Sequence, residues 1–108
     1  MRPADEIKQA AQHLRDVAGK AMPGPWHQET PGSHIIHGHD GTVAETIYEA
    51  ADATHIALLD PPSALLLADL LDGMNLFWRT AKADEVAVFQ KSPLAAFVRA
   101  INAKAGQR

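Results

Sequence analysis

An α+β fold, a small antiparallel sheet of two to three strands packed against about four helices, is what this sequence predicts. Three observations predict it. Apolar residues recur at helical spacing near both ends of the chain and through its middle; β-branched residues punctuated by turn formers fill residues 26–47; and alanine and leucine dominate while aromatics make up only 6%. The 108 residues, 46% hydrophobic and 21% charged, suit one globular domain and exclude a wholly disordered chain.

Taken in order, Ile7, Ala10, Ala11, Leu14, Val17 and Ala18 mark an amphipathic helix, with Asp5 and Glu6 near its start and Lys20 past its end. Gly19 offers a stop, and Pro23-Gly24-Pro25 forbids continuation before Trp26 closes a sharp turn. The turn formers Pro31-Gly32, Gly38 and Asp40-Gly41 then space out strands expected near 26–30, 33–38 and 42–47, the middle one short. Such a sheet needs a helix to lie against.

From Glu49 the helical pattern returns through Ala53, Ile56, Ala57 and Leu59. Asp60 reads as the N-cap of a new helix because Pro61 fits the first helical position. The stripe Leu66, Leu67, Leu70, Leu71, Met74, Phe77, Trp78 and Ala81 runs through Gly73, so one helix of about twenty residues competes with a break after Asp72. Val86 to Phe89 is ambiguous between strand and helix turn. Ser92-Pro93 repeats the capping signal, and Leu94, Phe97, Val98 and Ile101 give a last helix ending near Gly106.

Cysteine is absent, which removes disulfides, thiolate metal sites and cysteine nucleophiles. The first twenty residues lack the apolar run of a signal peptide, and Ala64 to Leu71 falls short of the ~20 residues that span a bilayer. A cytoplasmic protein without membrane contact is the expectation. Net charge is −3, which gives no general reason to bind nucleic acid. Its distribution is uneven: residues 1–78 carry four basic and eleven acidic side chains, residues 79–108 six basic and two acidic. A basic tail from residue 73 onward, following a body of residues 1–72, can dock on that body, on a second copy, or, through Arg79, Lys82, Lys91, Arg99 and Lys104, on nucleic acid.

The run His34-Ile35-Ile36-His37-Gly38-His39-Asp40 holds three imidazoles and a carboxylate, a donor set suited to zinc or nickel. On a strand, however, His37 and His39 share a face while His34 points away, so a metal site through His34, His37, His39 and Asp40 is the alternative reading, and solvent-facing histidines on an edge strand and turn are the main one. No cofactor is expected. Ser33, Ser63 and Ser92 stand in turn or capping contexts, and no glycine run precedes a helix with a lysine in place, so neither a serine nucleophile nor a phosphate loop is predicted.

A helix, then Pro23-Gly24-Pro25-Trp26, then Gly41-Thr42-Val43-Ala44, then Asp52-Ala53-Thr54-His55-Ile56-Ala57 resembles a pattern in small accessory proteins of actinobacteria, their phages and prophages, including Ead-like phage proteins. The likeness covers roughly residues 4–72; His55 stands where that family often has an aromatic. In it the turn redirects the chain, Trp26 joins sheet to helices, and Asp52 caps or begins a helix. The resemblance carries over no catalytic residue. The expected function is a non-enzymatic protein-binding accessory module, phage or prophage encoded, that engages a host protein or itself; the alternative is a histidine-dependent metal-binding protein or small metal hydrolase. Leu70, Met74, Phe77 and Trp78, with Arg79 and Lys82 beside them, are the expected partner-binding residues: the apolar stripe outlasts the family-like body, and a small sheet cannot cover it. A homodimer is expected, unless the final helix folds back over the stripe.

Overall fold

The computed structural model describes residues 2–105. They group into two compact units, residues 2–16 with 67–105 and residues 17–66, the boundaries falling inside two helices. Helix α1 (Pro3–Lys20) carries Asp5 and Glu6 in its first turn and Lys20 in its last, each complementing the helix dipole, and passes through Gly19 without stopping there. The other helices are α2 (Ala50–Leu58), α3 (Pro61–Trp78), α4 (Ala83–Gln90) and α5 (Pro93–Ala105), so among the described residues five helices stand where about four are expected. The extra one is the ambiguous segment around Val86–Phe89. Its start is fixed by Glu85, which accepts the backbone N–H of Lys82 at 3.1 Å, a local bond that decides for helix where the apolar run alone has no period.

In the unit that contains residues 2–16 and 67–105, Ile7, Ala10 and Ala11 of α1 meet Ala68 and Leu71 of α3, Phe89 of α4, and Ala95 and Val98 of α5. All eight are sealed from solvent to within 1%, and Leu14, Trp78, Leu94, Phe97 and Ile101 pack around them. The alanines on α1 and α5 let helices approach closely while Phe89 fills the middle, its ring 5.1 Å from that of Trp78. Ser92 begins α5 as expected: its Oγ accepts from Ala95 N–H at 3.2 Å and donates to Phe89 carbonyl at 2.7 Å. The basic C-terminal segment is no detached tail. Arg99 Nε reaches Glu6 Oε1 at 3.2 Å and Asn102 Nδ2 donates to Glu6 carbonyl at 3.2 Å, so α5 is docked on α1 of the same chain. Gly106, the expected end of that helix, lies outside the described residues.

In the unit of residues 17–66, strands β1 (His27–Gln28), β2 (Ile36–Gly38) and β3 (Gly41–Ala44) form one antiparallel sheet in the order β1-β2-β3. Each strand is shorter than expected. The ladder is interrupted between Ile36 and His37, whose partners Ala44 and Thr42 leave Val43 unmatched, a bulge that limits how far regular pairing extends. Gly41, at φ +140°, takes a conformation open only to glycine and turns the β2-β3 hairpin. Gly38 is required for space: a Cβ there would stand 2.8 Å from Met22 Sδ and 3.1 Å from Pro23 carbonyl.

Gln28 holds the sheet to α2, its Oε1 accepting from Thr54 Oγ at 3.1 Å while its Nε2 donates to Ser33 carbonyl at 2.9 Å. Asp52 lies in the first turn of α2, not at its cap; the N-cap is Glu49, which makes no side-chain capping bond. Asp60 caps α3 as the sequence indicates, its Oδ1 accepting Ser63 N–H at 3.1 Å, and Pro61 opens the helix. Trp26 is pinned at both of its nitrogens, the backbone N–H by Asp60 Oδ2 at 2.9 Å and Nε1 by the Met22 carbonyl at 2.8 Å.

Candidate functional site

Helix α3 runs unbroken through Gly73, so the alternative of a break after Asp72 is not realised. A turn of 3.6 residues sorts its second half into two faces. Ala68, Leu71, Asn75 and Trp78 share one. Ala68 and Leu71 are core, Asn75 Nδ2 donates to Ala4 carbonyl at 2.5 Å, and Trp78 packs on Phe89. Leu70, Gly73, Met74 and Phe77 share the other, with Leu76 at its margin, and this face is uncovered: Leu70 is 56% exposed, Met74 37%, and Leu76 and Phe77 65% each.

Of the predicted partner-binding residues, then, Leu70, Met74 and Phe77 come together on an open apolar surface. Trp78 does not join them. It turns inward, touching Phe77 only edge-on at 5.2 Å between ring centroids, because the position lies on the side of α3 that faces α4. The final helix covers that inner side through Leu94, Phe97, Val98 and Ile101, and leaves the outer stripe bare. Arg79 and Lys82 follow the helix end, both exposed, and Arg79 has no ion-pair partner among the described residues.

Two carboxylates flank the apolar face. Asp69 and Asp72 accept hydrogen bonds from a single guanidinium, Arg15 on α1, at 2.9 and 2.5 Å. These bonds, Asp72 first and Asp69 second, hold the arginine pKa above its usual range. The two aspartates share one cation, and a pairing across α1 and α3 carries no local sequence signal. Gly73 lies between them and the leucines. An interior helix glycine costs about 1 kcal/mol relative to alanine, yet nothing stands within 4 Å of where its Cβ would be.

An open groove of about 560 Å³ lies beside this helix, lined by Ala4, Asp5, Lys8, Asp72, Asn75 and Arg79 among others. Charges of both signs border it, so it favours no one ionic ligand.

The histidines are not gathered. His39 lies in the turn after β2, beyond the reach of strand alternation, with Nδ1 2.8 Å from Asp40 Oδ1. His34 Nδ1 meets the Ile47 carbonyl at 2.5 Å. His37 faces neither: the register sets it opposite His27, ring centroids 5.9 Å apart, with Glu29 Oε2 3.7 Å from its Nε2. Among the described residues no three histidine or carboxylate side chains are placed to hold a metal ion. The His27-His37 pair was not visible from spacing, because it depends on a cross-strand register.

Among the described residues no single helix is long and apolar enough to cross a membrane. No family model, curated protein or solved structure matches the chain.

Proposed function

We propose that this protein is a non-enzymatic protein-binding module, of the kind supplied by small phage and prophage accessory proteins, which works by presenting the outer face of α3 to another polypeptide. One observation carries the reading. Leu70, Leu76 and Phe77 are each more than half exposed on a helix whose opposite face is fully occupied by the core. A helix apolar on both sides is found where both sides are covered, and here the described residues cover one. The resemblance in the Pro23-Gly24-Pro25-Trp26 turn and the Asp52-Ala53 helix start points the same way.

The test is a comparison of the protein with a Leu70→Glu/Phe77→Glu variant, immobilised and exposed both to a bacterial lysate and to its own free chain. Both substitutions sit at exposed positions, so the circular dichroism of the variant should match that of the parent. Capture of a polypeptide by the parent and its loss in the variant is the expected result. A parent that retains nothing in either arm, or a variant that retains as much, would overturn the reading.

A further inference from the structure

We infer that the outward face of the sheet is a site for a divalent ion of the zinc or copper class, chelated by His27 and His37 with Glu29 as a third donor. It uses no residue of α3. Register builds the pair: His27 on β1 and His37 on β2 are direct cross-strand partners, so their imidazoles stand on one face of the sheet. Pairing continues past β1, where Glu29 N–H donates to Ile35 carbonyl at 3.0 Å, and Glu29, two positions after His27, shares the histidine face. The other face carries the wholly buried Ile36. His27 and Glu29 are exposed and His37 is half-buried, so the donors are open to an ion from solvent.

The spacing suits a metal better than a hydrogen bond. Glu29 Oε2 lies 3.7 Å from His37 Nε2, and the two imidazole centroids are 5.9 Å apart at an inclination of 44°. A carboxylate bonded to an imidazolium would stand at ~2.8 Å. Two ligands at ~2.0–2.1 Å from a tetrahedral ion are about 3.3 Å from one another, and the centroids of two such imidazoles about 5 Å apart. The three donors do not converge as they stand, but closing them on one ion takes a shift of only ~1 Å by exposed side chains.

His37 is prepared for the role by β3. A ligating histidine usually donates its second ring nitrogen to an outer partner, which fixes tautomer and orientation. Thr42, the partner of His37 on β3, sets its Oγ1 3.4 Å from His37 Nδ1. With Nδ1–H aimed at that hydroxyl, Nε2 keeps its lone pair and turns it toward Glu29. His34 and His39 form no such pair: their Nδ1 atoms meet the Ile47 carbonyl and the Asp40 carboxylate. Two imidazoles and one carboxylate, in a chain without thiolates, select zinc or copper over magnesium and calcium, which take oxygen shells. The bound ion ties β1, only two residues long, to β2, so it stabilises the sheet by mass action.

Isothermal titration with zinc chloride alone tests the proposal, and about one zinc per chain with a Kd below ~100 μM is expected. His27→Gln and His37→Gln should each weaken binding at least tenfold. Thr42→Val, which keeps a β-branched residue on β3, should weaken it roughly tenfold through the lost outer partner. The double variant His34→Gln/His39→Gln should bind as the parent does. His27 is exposed, so the circular dichroism of His27→Gln should match the parent, and zinc should raise the melting temperature of the parent but not of that variant. Substoichiometric copper should broaden the ring signals of His27 and His37 before those of His34 and His39. No heat at 200 μM protein, zinc bound equally well by His27→Gln, or broadening centred on His34 and His39 would overturn the site.

Discussion

Asp60 and Trp26, thirty-four positions apart, are joined by a hydrogen bond of 2.9 Å from the tryptophan backbone N–H to Oδ2, while Oδ1 of the same carboxylate caps α3 through Ser63. One side chain, only 6% exposed, therefore both starts a helix and ends the Pro23-Gly24-Pro25-Trp26 turn.

Replacing Asp60 should be among the costlier single changes. Burial pushes its carboxyl pKa up, but the hydrogen bonds from Trp26 N–H and from the Ser63 hydroxyl and N–H outweigh burial and hold it below the ordinary 3.8. A folded value below the unfolded one means stability that is present above pH 3.8 and is lost as pH falls through the folded value. Asp60→Asn, which presents an amide donor to one of the N–H groups, should cost roughly 2–3 kcal/mol at pH 7. Urea unfolding checks this, and the gap between parent and variant should narrow by pH 3.

Half of that bond was legible in the sequence and half was not. Asp60-Pro61 and Ser92-Pro93 are local caps, so the starts of α3 and α5 follow from neighbouring residues. The Trp26 bond joins distant segments, as does the Arg15 bridge to Asp69 and Asp72, and no spacing announces either. Strand lengths went astray for a related reason: the unmatched Val43 exists only in relation to a partner strand. The apolar stripe on α3 was readable as residues but not as faces. Because leucines occupy both sides of the helix, periodicity could not say that Trp78 turns inward while Phe77 stays out; packing of α4 and α5 decides that.

Phe89→Ala should destabilise the fold by about 3–5 kcal/mol, the usual range for emptying a buried aromatic site. Phe89 is wholly buried and lies against Trp78, so the cavity opens beside an indole. Denaturant melts should show the loss, and tryptophan emission should shift to the red as water reaches Trp78. An unchanged midpoint would mean that Phe89 is not central to this core.

Gly24→Ala and Gly19→Ala should move stability in opposite directions. A Cβ at Gly24 would sit 2.6 Å from Pro62 Cδ and 3.3 Å from Trp26 N, with a proline ring that cannot swing away, and the strain should cost about 1–3 kcal/mol. At Gly19, inside α1, nothing lies within 4 Å, so alanine should add up to about 1 kcal/mol through helix propensity. Thermal melts of the two variants side by side settle the contrast.

Nucleic-acid affinity should be weak at physiological salt. The five basic residues named as its candidates are not a free set: Arg99 is held by Glu6 and Gln90 on its own chain, and its guanidinium carbon lies 5.9 Å over the Phe89 ring. Arg79 and Lys82 stand at the far end of α3, apart in sequence from Lys91 and Lys104, so few phosphates can be neutralised together. Each phosphate neutralised contributes close to one unit to the slope of log affinity against log salt, and a short list of contacts gives a shallow slope and little binding. Anisotropy titrations of a labelled duplex and a labelled single strand, repeated from 50 to 200 mM salt, measure both quantities. Micromolar binding that falls steeply with salt, and that Lys82→Glu or Lys104→Glu removes, would show instead that these lysines gather phosphates without Arg99.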